Sequence, residues 1–291
     1  MLEVIEETLL DSIKILPFLF VTYLIMEYIE HKMKEKSKKA IKKSGKYGPL
    51  IGSIVGIFPQ CGFSVSATNL YAGRVITLGT LISVYLTTSD EMIPILISEA
   101  VSPIIIIKIL AIKLVIGIIA GFAIDLVIRI IHKKKHEKTE EEKEIEIEHL
   151  CDEDHCHCEE GSILKSALKH TINIFIFIII ITFIINTAVY LIGEENIASL
   201  LLNQKILGPI VASLIGLIPN CAASVILTNM YLENVISAAS MISGLLTGAG
   251  VGLAVLFKTN KNIKENIKIV FMVYFIGAFS GIILELIGLN L

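Results

Sequence analysis

The sequence predicts an all-α integral membrane protein of two inverted-topology repeats, each of about five transmembrane or re-entrant helical segments with Pro-broken helices. Long uncharged apolar blocks, an internal repeat and the alternating charge of the loops carry that prediction. The chain is 54% hydrophobic with a mean hydropathy of +0.76. Residues 171–193 are 23 positions without a charge. As a helix they reach about 34 Å, enough to cross a hydrocarbon layer of roughly 30 Å. Residues 114–124, 235–257 and 269–284 are also uncharged. Blocks of this kind exceed a soluble core and lack the ten-residue alternation of a membrane barrel.

The chain also contains itself twice. Displaced by 160 positions, residues 48–87 lie on 208–247 without a gap, and seventeen of those 40 positions are identical. Chance matching in so apolar a chain gives about four. The matches include Gly48/Gly208, Pro49/Pro209, Pro59/Pro219, Cys61/Cys221, Ser64/Ser224, Thr68/Thr228, Asn69/Asn229 and Tyr71/Tyr231. Two apolar halves broken by Gly and Pro at matching places form the pattern of a secondary transporter.

Loop charge sets the orientation. Residues 31–46 hold eight lysines against one Glu, which predicts a cytoplasmic loop. Residues 132–138 and 258–268 are basic too, whereas 193–205 carry Glu194, Glu195 and one Lys. Equivalent loops therefore face opposite ways. The repeats are inverted, each crosses an odd number of times, and both termini lie outside. A multi-pass protein of the cell membrane is expected. The acidic start, with Glu3, Glu6, Glu7 and Asp11, has no basic region of the signal-peptide kind.

Three regions follow: repeat one over 1–131, an acidic His/Cys-rich cytoplasmic linker over 132–160, and repeat two over 161–291. Repeat one reads as a helix over 9–30 with a kink at Pro17. A segment over 48–58 breaks at Pro59-Gln60-Cys61-Gly62 and resumes to 71. Short spans follow over 75–87 and 92–100, then a last helix over 104–131. Repeat two reads as 163–193, 207–218, 221–232, 235–247, 251–257 and 267–289. Several spans are too short to cross alone and read as half-helices or re-entrant hairpins. Such backbone survives at membrane depth only inside protein or beside a cavity.

The two breaks are the candidate site. Pro59 and Pro219 each remove a backbone donor and end the incoming helix. The next helix then opens with amides that lack partners within it. Cys61, Ser64 and Thr68 fall at helical spacing on one face, as do Cys221, Ser224 and Thr228. Gln60 and Asn220 precede the cysteines, and Asn69 and Asn229 follow the stripes. Gln60, Cys61, Ser64, Thr68, Asn69, Asn220, Cys221, Ser224, Thr228 and Asn229 are therefore the substrate-binding candidates, a polar, soft set without a carboxylate. For the hydroxyls, helix packing is the equal alternative. For Cys61 and Cys221, the only cysteines outside the linker, binding is the stronger reading. Buried asparagines need partners, so Asn69 and Asn229 line a cavity or fix a hinge. Tyr71 and Tyr231 read as interfacial anchors. Lys108/Lys268 and Asp125/Glu285 are repeat-paired charges near helix ends. They read as anchors, with a proton-coupling carboxylate as the alternative. Glu99 and Lys113 have no repeat mate.

The linker holds five of the seven histidines and three of the five cysteines, with 12 Asp/Glu against five Lys. Cys151, His155, Cys156, His157 and Cys158 suit transient capture of a soft metal ion. A plain solvated linker is the alternative, because the spacing matches no structural zinc motif.

The repeated Pro-Gln-Cys and Pro-Asn-Cys breaks, the two halves and the His/Cys-bearing linker resemble the ten-transmembrane heavy-metal exporter family. Its members carry labels such as arsenic-efflux-like protein and manganese transporter. Over essentially the whole chain, the resemblance implies a helical exporter with Pro59, Gln60, Cys61, Pro219, Asn220 and Cys221 as motif residues. The ligand chemistry favours a soft metal, a metalloid or a small polarisable anion over Mn²⁺, which prefers oxygen. Export of a heavy-metal or metalloid ion by alternating access is the expected function. The partners are that ion and the bilayer, with no nucleic acid, and the sequence does not determine an oligomeric state. No cofactor is expected beyond the linker's transient metal. The alternatives are an intramembrane enzyme acting on a lipid-linked phosphate and a passive small-anion channel. The enzyme is disfavoured, and no catalytic residue is assigned, because 47–73 and 206–232 contain neither charge nor His.

Overall fold

A computed structural model describes residues 2–32, 45–58, 60–89, 91–135, 163–192 and 206–289. Pro59 and the linker residues Cys151, His155, Cys156, His157 and Cys158 lie outside the described residues. Among the described residues all regular structure is helical. In chain order the helices are α1 Leu2–Lys32, α2 Gly48–Gly56, α3 Cys61–Ala72, α4 Leu78–Thr87, α5 Met92–Ser98 and α6 Pro103–Lys135. They continue as α7 Ile163–Ile192, α8 Leu207–Gly216, α9 Ala222–Leu232, α10 Ala238–Thr247, α11 Gly252–Thr259 and α12 Ile263–Leu286. A 3₁₀ turn at Gly45–Tyr47 leads into α2.

Several boundaries differ from the sequence reading. Helix α1 continues through Pro17. Helix α4 begins at Leu78, not at 75, because the Thr77 hydroxyl accepts the Thr80 amide at 3.1 Å. Helix α10 begins at Ala238, not at 235, because Ser237 accepts the Ser240 amide at 3.1 Å. In both places an N-cap hydroxyl overrides apolar residues upstream. Helix α12 starts four residues early, at Ile263, capped by the Asn262 side chain.

Among the described residues, six stretches are long and apolar enough to cross a membrane: Thr8–Ile25, Leu78–Ser98, Pro103–Ile131, Ala167–Thr187, Ala238–Thr259 and Ile263–Leu286. The second joins α4 to α5 and the fifth joins α10 to α11. These two are the most enclosed, with Leu81, Ile82, Leu86, Met241, Ile242 and Leu246 fully buried. Around them, α6 and α12 keep apolar side chains on the outside, such as Ile104, Ile119, Phe271 and Phe275. A hydrocarbon phase covers such a surface at no cost.

Contacts recur between repeat mates. Helix α2 packs on α4 and α6 as α8 packs on α10 and α12. Helix α3 packs on α11 of the other repeat, and α9 returns the contact on α5. Helices α1 and α7 pack against each other, as do α4 and α10. Matched glycines permit this closeness. A Cβ at Gly121 would sit 1.9 Å from the Ser83 hydroxyl, and one at Gly281 would sit 2.4 Å from Ser243. Small residues at such crossings let membrane helices approach backbone to backbone.

The repeat-paired carboxylates cap helices. Asp125 accepts the Gly79 amide at 2.9 Å and the Thr77 hydroxyl at 2.8 Å, which places it at the positive end of α4. Glu285 accepts the Ser237 hydroxyl at the start of α10. Lys108 and Lys268 are exposed.

Candidate functional site

The two breaks share one backbone bond but differ by a residue in where the next helix opens. Helix α2 ends at Gly56, and Gln60 stands in extended conformation (φ −158°, ψ 116°) before α3 opens at Cys61. Helix α8 ends at Gly216, and Cys221 is the N-cap of α9. At each break the residue before the cysteine donates its amide two positions back, Gln60 to Phe58 at 2.8 Å and Asn220 to Ile218 at 2.7 Å.

The breaks bring the two cysteines together. The sulfur atoms of Cys61 and Cys221 lie 3.0 Å apart, buried, with both thiols free of any disulfide. A small apolar cluster encloses them. It includes Ile15 and Leu19 of α1, Ile174 and Ile178 of α7, Val65 of α3, and Val251 and Val255 beside them. The S–H···S contact therefore joins the two repeats within this buried cluster.

The stripes do not stay face to face beyond the cysteines. The Ser64 and Ser224 hydroxyls donate to the Cys61 and Cys221 carbonyls, at 2.8 and 2.7 Å. Thr68 and Thr228 donate to the Ser64 and Ser224 carbonyls, both at 2.7 Å. Thr68 also meets the Tyr85 hydroxyl at 2.6 Å and the Gly252 carbonyl at 3.1 Å, which knits α3 to α4 and α11. These bonds are of the packing kind. Asn69 is buried, and its Oδ1 accepts from the Tyr23 hydroxyl at 3.3 Å while its Nδ2 finds no partner. Asn229 is exposed near the far end of α9, so it bears none of the cost of burial expected for it. Tyr71 is not an interfacial anchor. It is buried and donates to Glu265.

Asn220 is tied into a polar relay. Its Oδ1 accepts the Cys221 amide at 2.7 Å, and its Nδ2 donates to Asn186 of α7. Asn186 in turn donates to Thr8 of α1 at 3.1 Å. Gln60, half-buried, makes no such cap bond to its own helix. Sequence reasoning missed Asn186, although an Asn inside an Ile/Phe-rich span is a signal, since its amide must be satisfied away from water. It also missed His170, buried on α7 and stacked on Tyr23 with ring centres 5.4 Å apart.

A second contact set shows how the repeats differ. Arg74 pairs with Glu265 at 3.1 Å, with the Tyr71 hydroxyl on the same carboxylate. The repeat mates of Tyr71, Arg74 and Glu265 are Tyr231, Asn234 and Ile105, which cannot form an ion pair. These three instead line a cavity of about 430 Å³, together with Ser237, Glu285 and Leu289. Among the described residues no group of three His, Cys, Asp or Glu could hold a metal. The thiol pair offers two ligands.

Comparison with curated proteins and with solved structures returned no match. One family matches over residues 2–188 and 139–257, under the description "Putative, 10TM heavy-metal exporter". The all-helical fold, its six membrane-length apolar stretches and this match over most of the chain place the protein in the bilayer, and the chain belongs to that heavy-metal exporter family.

Proposed function

We propose that the protein is a secondary transporter that exports a soft heavy-metal or metalloid ion by alternating access at the paired breaks. The observation that carries this reading is the Cys61–Cys221 contact, one thiol from each repeat, buried within an apolar cluster. Thiolates select soft ions over Mn²⁺ or Mg²⁺. At about 2.3 Å per metal–sulfur bond, two thiolates on one ion stand about 3.8–4.6 Å apart. One ion held by both thiols therefore requires them to part from their 3.0 Å contact. The sequence contains no Walker A motif, so an ion gradient rather than ATP is the energy source.

The inverted arrangement makes the path concrete. Six crossings, α1, α4–α5, α6, α7, α10–α11 and α12, leave α2–α3 and α8–α9 as re-entrant hairpins entering from opposite sides. The cysteines are then the hairpin tips. Loop charge puts residues 31–46, the linker and 258–268 in the cytoplasm, with both termini outside. In that frame Arg74–Glu265 closes the cytoplasmic side, and the cavity at Tyr231 and Asn234 opens outward. The linker's Cys151, His155, Cys156, His157 and Cys158 would raise the local concentration of the metal before entry.

The reading is tested with inside-out vesicles given Cu⁺, arsenite and Mn²⁺ in turn. ATP-independent uptake of a soft species, with Mn²⁺ neither carried nor competing, is expected. Uptake of Mn²⁺ alone would reject the thiol-based selectivity.

A further inference from the structure

Lys113 is a buried charge within α6 that has no charged repeat mate. It lies about 15 Å along α6 from Pro103, and its side chain is fully buried. Snorkelling to an interface is therefore not its role. Its ammonium donates to the Thr88 carbonyl at 2.5 Å and to the Leu245 carbonyl at 3.0 Å. Both are helix-end acceptors. Thr88 is the C-cap of α4, and Leu245 lies in the last turn of α10, where the Ala249 amide bonds Thr247 in place of it. Helix C-termini leave carbonyls without amide partners and carry partial negative charge, so two of them pointing at one spot favour a cation. These helices are repeat mates packed on each other, one from each half. The repeat mate of Lys113 is Val273, buried on α12. Two-fold related positions thus hold one charge between them. Unwound helix ends that coordinate an alkali ion are a known way for transporters to hold a coupling ion at the repeat interface.

We propose that the carbonyl ends of α4 and α10 form a monovalent-cation site shared by the two repeats, and that the Lys113 ammonium is its tethered resident. Cutting the side chain back should expose a site for a free small cation. Filling the space with an apolar chain should not.

The test is thermal unfolding of the full-length chain in detergent micelles, in chloride salts of Na⁺, K⁺, methylammonium and choline at equal ionic strength. It needs no transported substrate, so its result is separate from the metal-export reading. The native chain should melt alike in all four salts. Lys113→Ala should melt lower in choline. A small cation should raise its melting point saturably, by about 3–5 °C per tenfold concentration once the site is filling. Lys113→Met should melt lower in every salt. If Lys113→Ala can be isolated only in a small-cation salt, that also supports the site. Lys113→Met melting as the native chain does, Lys113→Ala showing no preference among the salts, or Lys113→Ala failing to fold in all of them would each overturn it.

Discussion

Arg74 and Glu265 form an ion pair between the two repeats, and at the equivalent place on the other repeat Asn234 and Ile105 line an open cavity. Sequence self-similarity is thus broken at one point of chemical consequence. One side carries an ion pair between the repeats, and at the other the equivalent residues, Asn234 and Ile105, cannot form one. The pair is partly exposed, so its contribution is at most about 1 kcal/mol, roughly a fivefold population ratio.

Glu265→Gln should therefore release the Arg74 side, which we propose faces the cytoplasm. Cys61 and Cys221 should react up to about fivefold faster with a polar thiol reagent supplied from that side. A paired Arg74→Gln variant should add little, since both substitutions remove one interaction. Unchanged reactivity in both would mean that the pair is a surface ornament and not a latch.

Asn186→Leu should destabilise the chain by about 1–3 kcal/mol, because the Asn220 amide beside Cys221 then loses its acceptor in a dry setting. The loss should appear in thermal unfolding and in a weaker apparent affinity for the soft substrate. Asn186→Gln, which keeps the acceptor, should recover part of both. Native-like unfolding of the Leu variant would show that water or another group serves Asn220.

Much of this was legible in the residues. The apolar blocks foretold the helices, and one helix ends and the next begins beside Cys61 and Cys221, where the Pro-Gln-Cys and Pro-Asn-Cys repeats stand. What the sequence missed are pairings between segments remote in the chain. Asn186 meets Asn220, Arg74 meets Glu265, and Lys113 meets the Leu245 carbonyl. Such partners carry no periodic signal, because each is single and its mate has a different residue type. The N-caps at Thr77 and Ser237 were visible as residue types, yet apolar residues before them masked the true helix starts.

Gly121 and Gly281 test the matched crossings. Gly121→Ala places a Cβ on the Ser83 hydroxyl, and Gly281→Ala places one on Ser243. Each should cost about 1–3 kcal/mol as overpacking and lower the melting temperature of the purified protein. Pairing Gly121→Ala with Ser83→Ala should recover part of the loss. Two neutral glycine variants would show that the helices move apart freely.

Inversion itself is open to labelling. In a background without native cysteines, a cysteine at position 36 should be shielded from an impermeant reagent outside the cell, while one at 196 should react. Both labelling from one side would make the repeats parallel and would remove the hairpin arrangement.

The central claim is that Cys61 and Cys221 bind one soft ion from opposite repeats. The most direct measurement is efflux of the soft substrate by Cys61→Ser, Cys221→Ser and the double variant, each checked for native-like unfolding. Serine keeps the size and hydrogen bonding but removes the thiolate. Each single variant should lose about tenfold or more in transport at low substrate. The double should fall little below the worse single, because the two thiols act on one ion. Substrate should also shield both native thiols from a small alkylating reagent. Native-level efflux by the double variant would contradict the account and leave the breaks as hinges.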